Sequence, residues 1–479
     1  MPHVKRAVVI GAAMTGLVAA RALSETHDEV VVLDRDSLPG DAVPRTGTPQ
    51  ARHLHGLLAR GRDLLEEMFP GLSAELLSLG ATSADLQHDI CWTLDGHPMH
   101  RARSGLEGLS MSRALLENRV RARVAALPKV RIQERREVEG LTAHAGRVTE
   151  VRVVRLDEDN LREEIGADLV VDASGRGSRS PVWLEELGYE RPAEEAVRIG
   201  MTYATRHFHR EPHHLPEGKG AVVSLSVDNP RGGALAREEG DRWIVTLAGI
   251  LGDEPPLDDA GFHAFAATLH DPRIAGLIAT AKPLEKAVRA RFPASVRRRY
   301  EHLERFPDGY LVMGDAVCSF NPVYSQGMTV AAEEARVLRT CLLKGDRDLA
   351  CRFFQEIKRV IDVPWLMATG GDLRFDGVEG RRSPVLRLAN AYLGSLGNAL
   401  ERDPAVGRTM LRVANLLDPP HRLFSPPILL RVLRANVRPG QARPGPGVDR
   451  PNQKAPHSPD TRGRTGNREH DGPRSPGRR

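Results

Sequence analysis

The chain has 479 residues, 41% hydrophobic and 27% charged, enough for a sizeable core and two or three domains of an ordinary globular protein. Aromatic residues, at 4%, are too sparse for a stacking platform that holds single-stranded nucleic acid. The formal charge of +5 traces to the last segment: Arg438 to Arg479 carry ten Lys/Arg against four Asp/Glu, so the chain before it is near neutral and no nucleic-acid partner is expected.

Cys91, Cys318, Cys341 and Cys351 show no metal-type or redox-pair spacing, which predicts a reduced, cytoplasmic protein. No apolar run approaches the roughly 18 residues of a membrane span. The N-terminus has the basic lead and apolar middle of a signal peptide, but its detail reads otherwise. Ala7-Val8-Val9-Ile10 is a β-branched run suited to a buried parallel strand. It ends at "GAAMTG", Gly11 to Gly16, and helical spacing follows from Leu17 to Leu23. "EVVVLDRD" then gives a second buried strand ending in Asp34, with Arg35 beside it as a further cofactor-binding residue. Strand, glycine turn, helix, strand and an acid about 20 residues on make a dinucleotide fingerprint. In it Gly11 permits the tight turn, Gly16 lets helix and strand approach, and the helix start at Ala13-Met14 faces a pyrophosphate. Asp34 would accept hydrogen bonds from a ribose diol. Ala13 replaces the middle glycine, and its methyl narrows the approach to phosphate without closing it.

"ADLVVDASGRGSRSPVWLEELG", Ala167 to Gly188, is a further buried strand entering a Ser-Gly turn and a helix. Val197, Ile199, Met201 and Tyr203 alternate as a half-buried strand over Ala196 to Tyr203. "GAVVSLSV" and "RWIVTLAGI", with turns at "DNPRGG" and "EEGDR", continue it as an antiparallel set. "HFHREPHH", His207 to His214, is histidine-rich but has no carboxylate or cysteine spacing beside it, so it reads as a solvated strand end and no metal site is expected. His53 and His55 read as structural or cofactor-side residues, with an acid–base pair as the alternative. In "GYLVMGDAVCSFNPVYSQGMTVAAEEARVL" an apolar strand stops at Gly314-Asp315, and a loop through Pro322 feeds a helix after Gly327. Residues 351–437 have the Leu/Val/Arg spacing of helices. Among them "PPILLRVLRANVR" is amphipathic and is expected to pack on the core, with a membrane surface as the alternative. From Pro439 the chain is Pro, Gly, Arg and Ser with almost no apolar residue, which predicts disorder.

Taken together, "DASGRGSR" and "GDAVCSFNPVYSQGM" resemble the flavoprotein monooxygenases of the para-hydroxybenzoate hydroxylase fold. With "RTGTPQARHLHGLL", "SMSRALLE" and "MTYATR", the similarity narrows to actinobacterial FAD epoxidases of polyether-polyketide pathways. The resemblance implies an α/β protein with a discontinuous Rossmann-type FAD-binding domain, an inserted antiparallel β-sheet substrate domain, and C-terminal helices. The division expected is 1–190 and 300–350 for FAD, 191–299 for the substrate sheet, 351–437 helical, and 438–479 a disordered basic tail. It further implies that Asp315, following Gly314, holds the ribityl hydroxyls and that Pro322 lines the flavin face. The N–H groups of Gly327 and Met328 would face the pyrimidine edge, and Arg45 and Arg113 would contact the phosphate and ribityl regions.

The activity implied is transfer of one oxygen atom from a flavin hydroperoxide to a small apolar alkene or aromatic, with dioxygen as co-substrate and epoxidation in secondary metabolism as its form. No acid–base residue is assigned. Two departures carry consequences. Where many relatives have Asp-Gly, this chain has Ser174-Gly175, which disfavours direct NAD(P)H use and points to a separate flavin reductase. Ser325 stands where the family loop has glycine; it either takes a left-handed backbone or turns its hydroxyl to the flavin. The rival readings are an aromatic hydroxylase using NAD(P)H directly, a flavin-dependent prenyl reductase, and a flavin-binding protein without turnover.

Overall fold

Four β-branched or apolar runs and the strand before Gly314 assemble side by side. The computed structural model describes residues 4–157 and 159–437, and the tail expected from 438 to 479 lies outside the described residues. Arg6–Ile10, Glu29–Leu33, Val130–Gln133, Leu169–Asp172 and Tyr310–Val312 form one parallel sheet. Their spatial order is Tyr310–Val312, Leu169–Asp172, Arg6–Ile10, Glu29–Leu33, Val130–Gln133. Val9 lies opposite both Val171 and Val32, so the centre of the sheet is aliphatic on either side. Such strands are buried on both faces, which is why they read as continuous apolar runs rather than alternating ones.

The order has a functional consequence. From the central strand Arg6–Ile10 the chain moves to one neighbour, while its other neighbour arrives much later in the sequence. The carboxyl ends of such a sheet open a crevice at that switch point. Three turns meet there: Gly11 after the first strand, Ser174-Gly175 after Asp172, and Gly314-Asp315 after Val312.

A second sheet of seven strands runs in the order Val288–Phe292, Met201–His209, Arg242–Gly249, Arg231–Glu238, Gly220–Val223, Ile90–Leu94, His97–Pro98. Period-two alternation divides its faces. Ala204, Phe208, Val245 and Leu247 pack under the helices Asp259–Ala267 and Arg273–Thr280, against Phe262 and Ile274. Met201, Tyr203, Ala248 and Ile250 look the other way. The sheet differs from expectation in two respects. It takes in Ile90–Leu94 from the earlier part of the chain, and that strand pairs in parallel with Gly220–Val223, so the sheet is mixed. The single strand expected over Ala196 to Tyr203 is broken, because Gly200 has φ +56° and turns the chain. Glu194–Val197 therefore pairs with Ser295–Arg298 in another sheet.

Beyond the helix Gly327–Leu343 the chain is helical, as its spacing predicts: Leu349–Asp372, Pro384–Gly394, Gly397–Arg402, Pro404–Ala414 and Pro426–Val437. In the last of these Ile428 and Val432 are buried in a small cluster with Met99, Leu396 and Leu400, so one face does pack on the body.

Candidate functional site

One cavity of about 1130 Å³ runs from the crevice of the parallel sheet to the underside of the second sheet and on to the C-terminal helices. Gly11, Ala13, Met14, Asp34 and Arg35 line its first end. The glycines there are required by close approach. Gly11 has φ +102°, and a Cβ on it would lie 2.8 Å from the Ala173 carbonyl oxygen. A Cβ on Gly16 would lie 1.8 Å from the Gly11 carbonyl oxygen, so the helix start and the turn nest only without it. The helix Met14–Leu23 has no side-chain cap and no acid in its first turn. Its N–H groups and dipole are left for an anion.

Asp34 is buried at the end of the second strand and accepts hydrogen bonds from Ala12 N (2.7 Å) and Asp36 N (2.9 Å). Arg45 binds three carboxylates: Asp34 (3.2 Å), Asp36 (3.0 Å) and Glu117 (3.0 Å). Its Nη2 is buried without a partner. Arg113 lies close by, also buried, with Nε 3.5 Å from Glu117. Burial holds the Arg113 guanidinium below its usual range, Glu117 and Asp315 opposing. Two cavity-lining cations backed by carboxylates, each with a buried donor that lacks a hydrogen-bond partner, together with an uncapped helix start and a Cβ-free turn, fit a dinucleotide pyrophosphate and ribose. The residues present therefore suit FAD.

Further in, Gly314 has φ +65°, and a Cβ on it would lie 2.5 Å from Thr15 Oγ1. Gly314 N donates to Glu334 Oε2 at 2.6 Å, while Glu334 Oε1 is buried with no partner. Burial pushes the Glu334 carboxyl up to about 8, the Gly314 hydrogen bond opposing and Asp315 adding to the rise. Asp315 itself opens onto the cavity and is walled by protein elsewhere. Burial raises its carboxyl above the usual range, Arg176 and Arg113 opposing. Pro322–Tyr324 is a short 3-10 turn, and Ser325 after it is left-handed at φ +54°, ψ 22°. Of the two outcomes expected for Ser325, the backbone one is realised. The helix Gly327–Leu343 then starts with no side-chain cap and no acid in its first turn, and Gly327 and Met328 line the cavity.

The far side of the Pro322 loop holds a group that sequence reading missed. Asp372, at the end of Leu349–Asp372, accepts from Asn321 Nδ2 (2.9 Å) and Tyr324 Oη (3.1 Å) through the same oxygen. Its other oxygen is buried without a partner, and burial pushes the carboxyl up to about 6, both hydrogen bonds opposing. A Cβ on Gly371 would lie 2.2 Å from Tyr324 Oη, so this glycine seats the phenol. Nothing local signals the cluster, because 48 residues separate Tyr324 from Asp372. The only hint was Gly370-Gly371 inside a helical run.

His53 and His55 both line the cavity. His53 Nδ1 meets Thr205 Oγ1 at 2.8 Å, and His55 Nδ1 meets the His53 carbonyl at 2.8 Å. Burial holds them down to about 4 and about 3, so both rings are neutral at neutral pH. His207 does find carboxylates: Glu238 (3.1 Å), from the strand Arg231–Glu238, and Glu285 (2.5 Å), from the loop before Val288–Phe292. No group of three or more His, Cys, Asp or Glu poised for a metal occurs among the described residues. All four cysteines are free thiols. In the Ser-Gly turn, Asp172 accepts from Ser174 N (2.9 Å) and Ser178 Oγ (2.6 Å), and Ser174 to Gly177 line the cavity.

Residues 5–348 match the family model described as "FAD binding domain". Protein Rv3254 of Mycobacterium tuberculosis (strain ATCC 25618 / H37Rv) is 38% identical over 450 residues, 90% of this chain and 94% of its own. Among solved structures, a flavoprotein/dehydrogenase from Cytophaga hutchinsonii superposes with a TM-score of 0.63 at 16% identity, covering 91% of this chain and 98% of its own. The p-nitrophenol 4-monooxygenase of Pseudomonas putida DLL-E4 does so with a TM-score of 0.60 at 16% identity, covering 87% and 99%. At such identities the likeness to these structures is one of fold.

Proposed function

We propose, from the premise that this chain belongs to the FAD-binding domain family, that it is an FAD-dependent monooxygenase adding one oxygen atom of dioxygen to an apolar substrate. The form of the reaction we favour is epoxidation of an alkene. The observation that carries the reading is the continuity of the cavity. It joins a dinucleotide-type turn and Asp315 to a chamber walled by Met201, Tyr203, Ala248, Ile250 and Leu386. FAD, when bound and reduced, supplies the electrons with which dioxygen is activated.

The chain's own part is holding, orienting and keeping water out. Gly11, Gly16 and the N–H groups from Ala13 onward would hold the pyrophosphate, and Asp34 the ribose. Arg45 holds Asp34 in place and keeps one donor over. Asp315 would hold the ribityl chain, with Arg113 beside it. Gly327 and Met328 would present backbone donors to the pyrimidine edge, where a helix start favours negative charge by about 0.3–1 kcal/mol. Pro322, which lines the cavity, would line the flavin face, and the apolar walls would exclude the water that diverts oxygen to peroxide. Asp372 anchors this loop through Asn321 and Tyr324, and burial raises its carboxyl to about 6. We further propose that electrons arrive from a separate flavin reductase, because Ser174 replaces the acidic turn of self-reducing relatives.

The test begins with the absorption spectrum of purified protein and mass identification of the flavin released on denaturation. The photoreduced protein is then mixed with isotopically labelled dioxygen and a panel of lipophilic alkenes and arenes. Label in an epoxide supports the reading. Label in a phenol would replace it with hydroxylation, and absence of any flavin would end it.

A further inference from the structure

The helix Pro384–Gly394, with sequence PVLRLANAYLG, has no buried residue. Val385 is 78% exposed and Leu388 74% exposed, yet Val385 also lines the cavity. Leu388 and Tyr392 lie one turn apart on a single helix face. The Tyr392 ring packs on Phe424 at 4.7 Å, and Phe424 is exposed and cavity-lining too. Leu366, 58% exposed, completes the rim from the preceding helix Leu349–Asp372. Two residues after Phe424 begins Pro426–Val437, which buries Ile428 and Val432 and leaves Leu429, Leu430, Leu433 and Val437 exposed. An isolated exposed leucine needs no explanation, whereas Leu366, Val385 and Phe424 at one cavity mouth, with Leu388 on the same helix as Val385 and four more exposed apolar residues on the last helix, mark a surface that something covers.

The charge around this rim says what covers it. Residues 381–437 carry nine Lys/Arg and three Asp/Glu, whereas residues 1–380 have forty-nine and fifty-six. Arg387 and Arg434 are exposed on the two helices and make no ion pair among the described residues. The chain leaves Val437 directly into the segment with ten Lys/Arg, whose sole large aliphatic residue is Val448. Net positive charge at this end of the chain favours an anionic partner surface. An apolar stripe with basic residues along it, running into a polybasic segment, is the pattern of a protein that lies on negatively charged lipid.

We infer that the helices Pro384–Gly394 and Pro426–Val437 dock the cavity mouth onto an anionic lipid surface. The docking does not depend on the reaction proposed above. The one consequence that rests on that reaction is that an apolar substrate reaches the cavity directly from the lipid.

The test is co-sedimentation of the full-length flavin-loaded protein with vesicles, with no turnover measured. One set is phosphatidylcholine alone, and the other is phosphatidylcholine mixed with phosphatidylglycerol. The parent should sediment with the mixed vesicles, much less with phosphatidylcholine, and less as salt is raised. The double variant Leu388→Ser, Leu430→Ser changes two exposed side chains without altering charge and should weaken binding about tenfold or more, with melting temperature and flavin content unchanged. Leu161→Ser, exposed on a hairpin strand elsewhere, should bind as the parent does. Binding by the double variant equal to the parent's would overturn the proposal and leave the basic tail as the attachment. No binding to either vesicle would also overturn it. So would a parent that self-associates in solution while the double variant stays monomeric, since the rim would then pair two copies of the chain.

Discussion

Replacing Glu334 by Gln should make the protein more stable at alkaline pH, and the size of the effect follows from where the carboxyl sits. Glu334 is fully buried, one oxygen accepting from Gly314 N and the other without a partner. Its carboxyl is raised from 4.5 to about 8, chiefly by burial. Below the unfolded value both states hold the proton, and the group makes no difference. As pH rises from there the unfolded chain ionises while the folded one does not, so stability falls until the folded value near 8 is passed. The span corresponds to a loss of roughly 5 kcal/mol as an upper bound, at about 1.4 kcal/mol per pH unit. Glutamine keeps an acceptor for Gly314 and carries no charge in either state. The two proteins should therefore agree within about 1 kcal/mol near pH 5, and the variant should be several kcal/mol more stable above pH 8. Urea unfolding midpoints across that range measure this directly. Burial also holds His27 down to about 4, with His53 at about 4 and His55 at about 3. Their stabilisation is present above the ordinary histidine range and lost as pH falls, and it is common to both proteins, so it cancels in the difference. A parallel pH dependence of parent and variant would refute the argument and mean that Glu334 is ionised in the fold.

Asp34→Ala should lower FAD affinity about tenfold or more, since a charged acceptor is lost and Arg45 is left to Asp36 and Glu117 alone; unchanged affinity in a flavin titration would contradict the ribose assignment. Ser325→Gly removes a non-glycine residue from φ +54°, whose hydroxyl finds no partner among the described residues; it should stabilise by under about 1 kcal/mol and tighten FAD. A rise in peroxide released per product formed would instead make the hydroxyl a participant. With NADH or NADPH alone, stopped-flow bleaching of the flavin band should be very slow, and added flavin reductase should restore it. Rapid bleaching, faster with substrate, would favour the self-reducing hydroxylase.

The features the sequence determined by itself are those governed by neighbouring residues. The β-branched run Ala7 to Ile10 reads as a buried parallel strand, and Gly11 and Gly16 as the glycines of a turn that a Cβ would block. The left-handed backbone at Ser325 was likewise among the two outcomes legible from its place in the loop. Partnerships across the chain were decided by the tertiary structure alone. Asp372 reaches Asn321 and Tyr324 because the helix Leu349–Asp372 returns past the Pro322 loop, and Glu334 reaches Gly314 because its helix packs beneath the strand end. His207 gains Glu238 and Glu285, and Gly220–Val223 gains Ile90–Leu94, over separations that no local pattern encodes. A backbone dihedral answers to the residues beside it. A long-range pair forms only after a loop has closed, when the topology of the whole sheet decides which side chains meet and which are shut away from water.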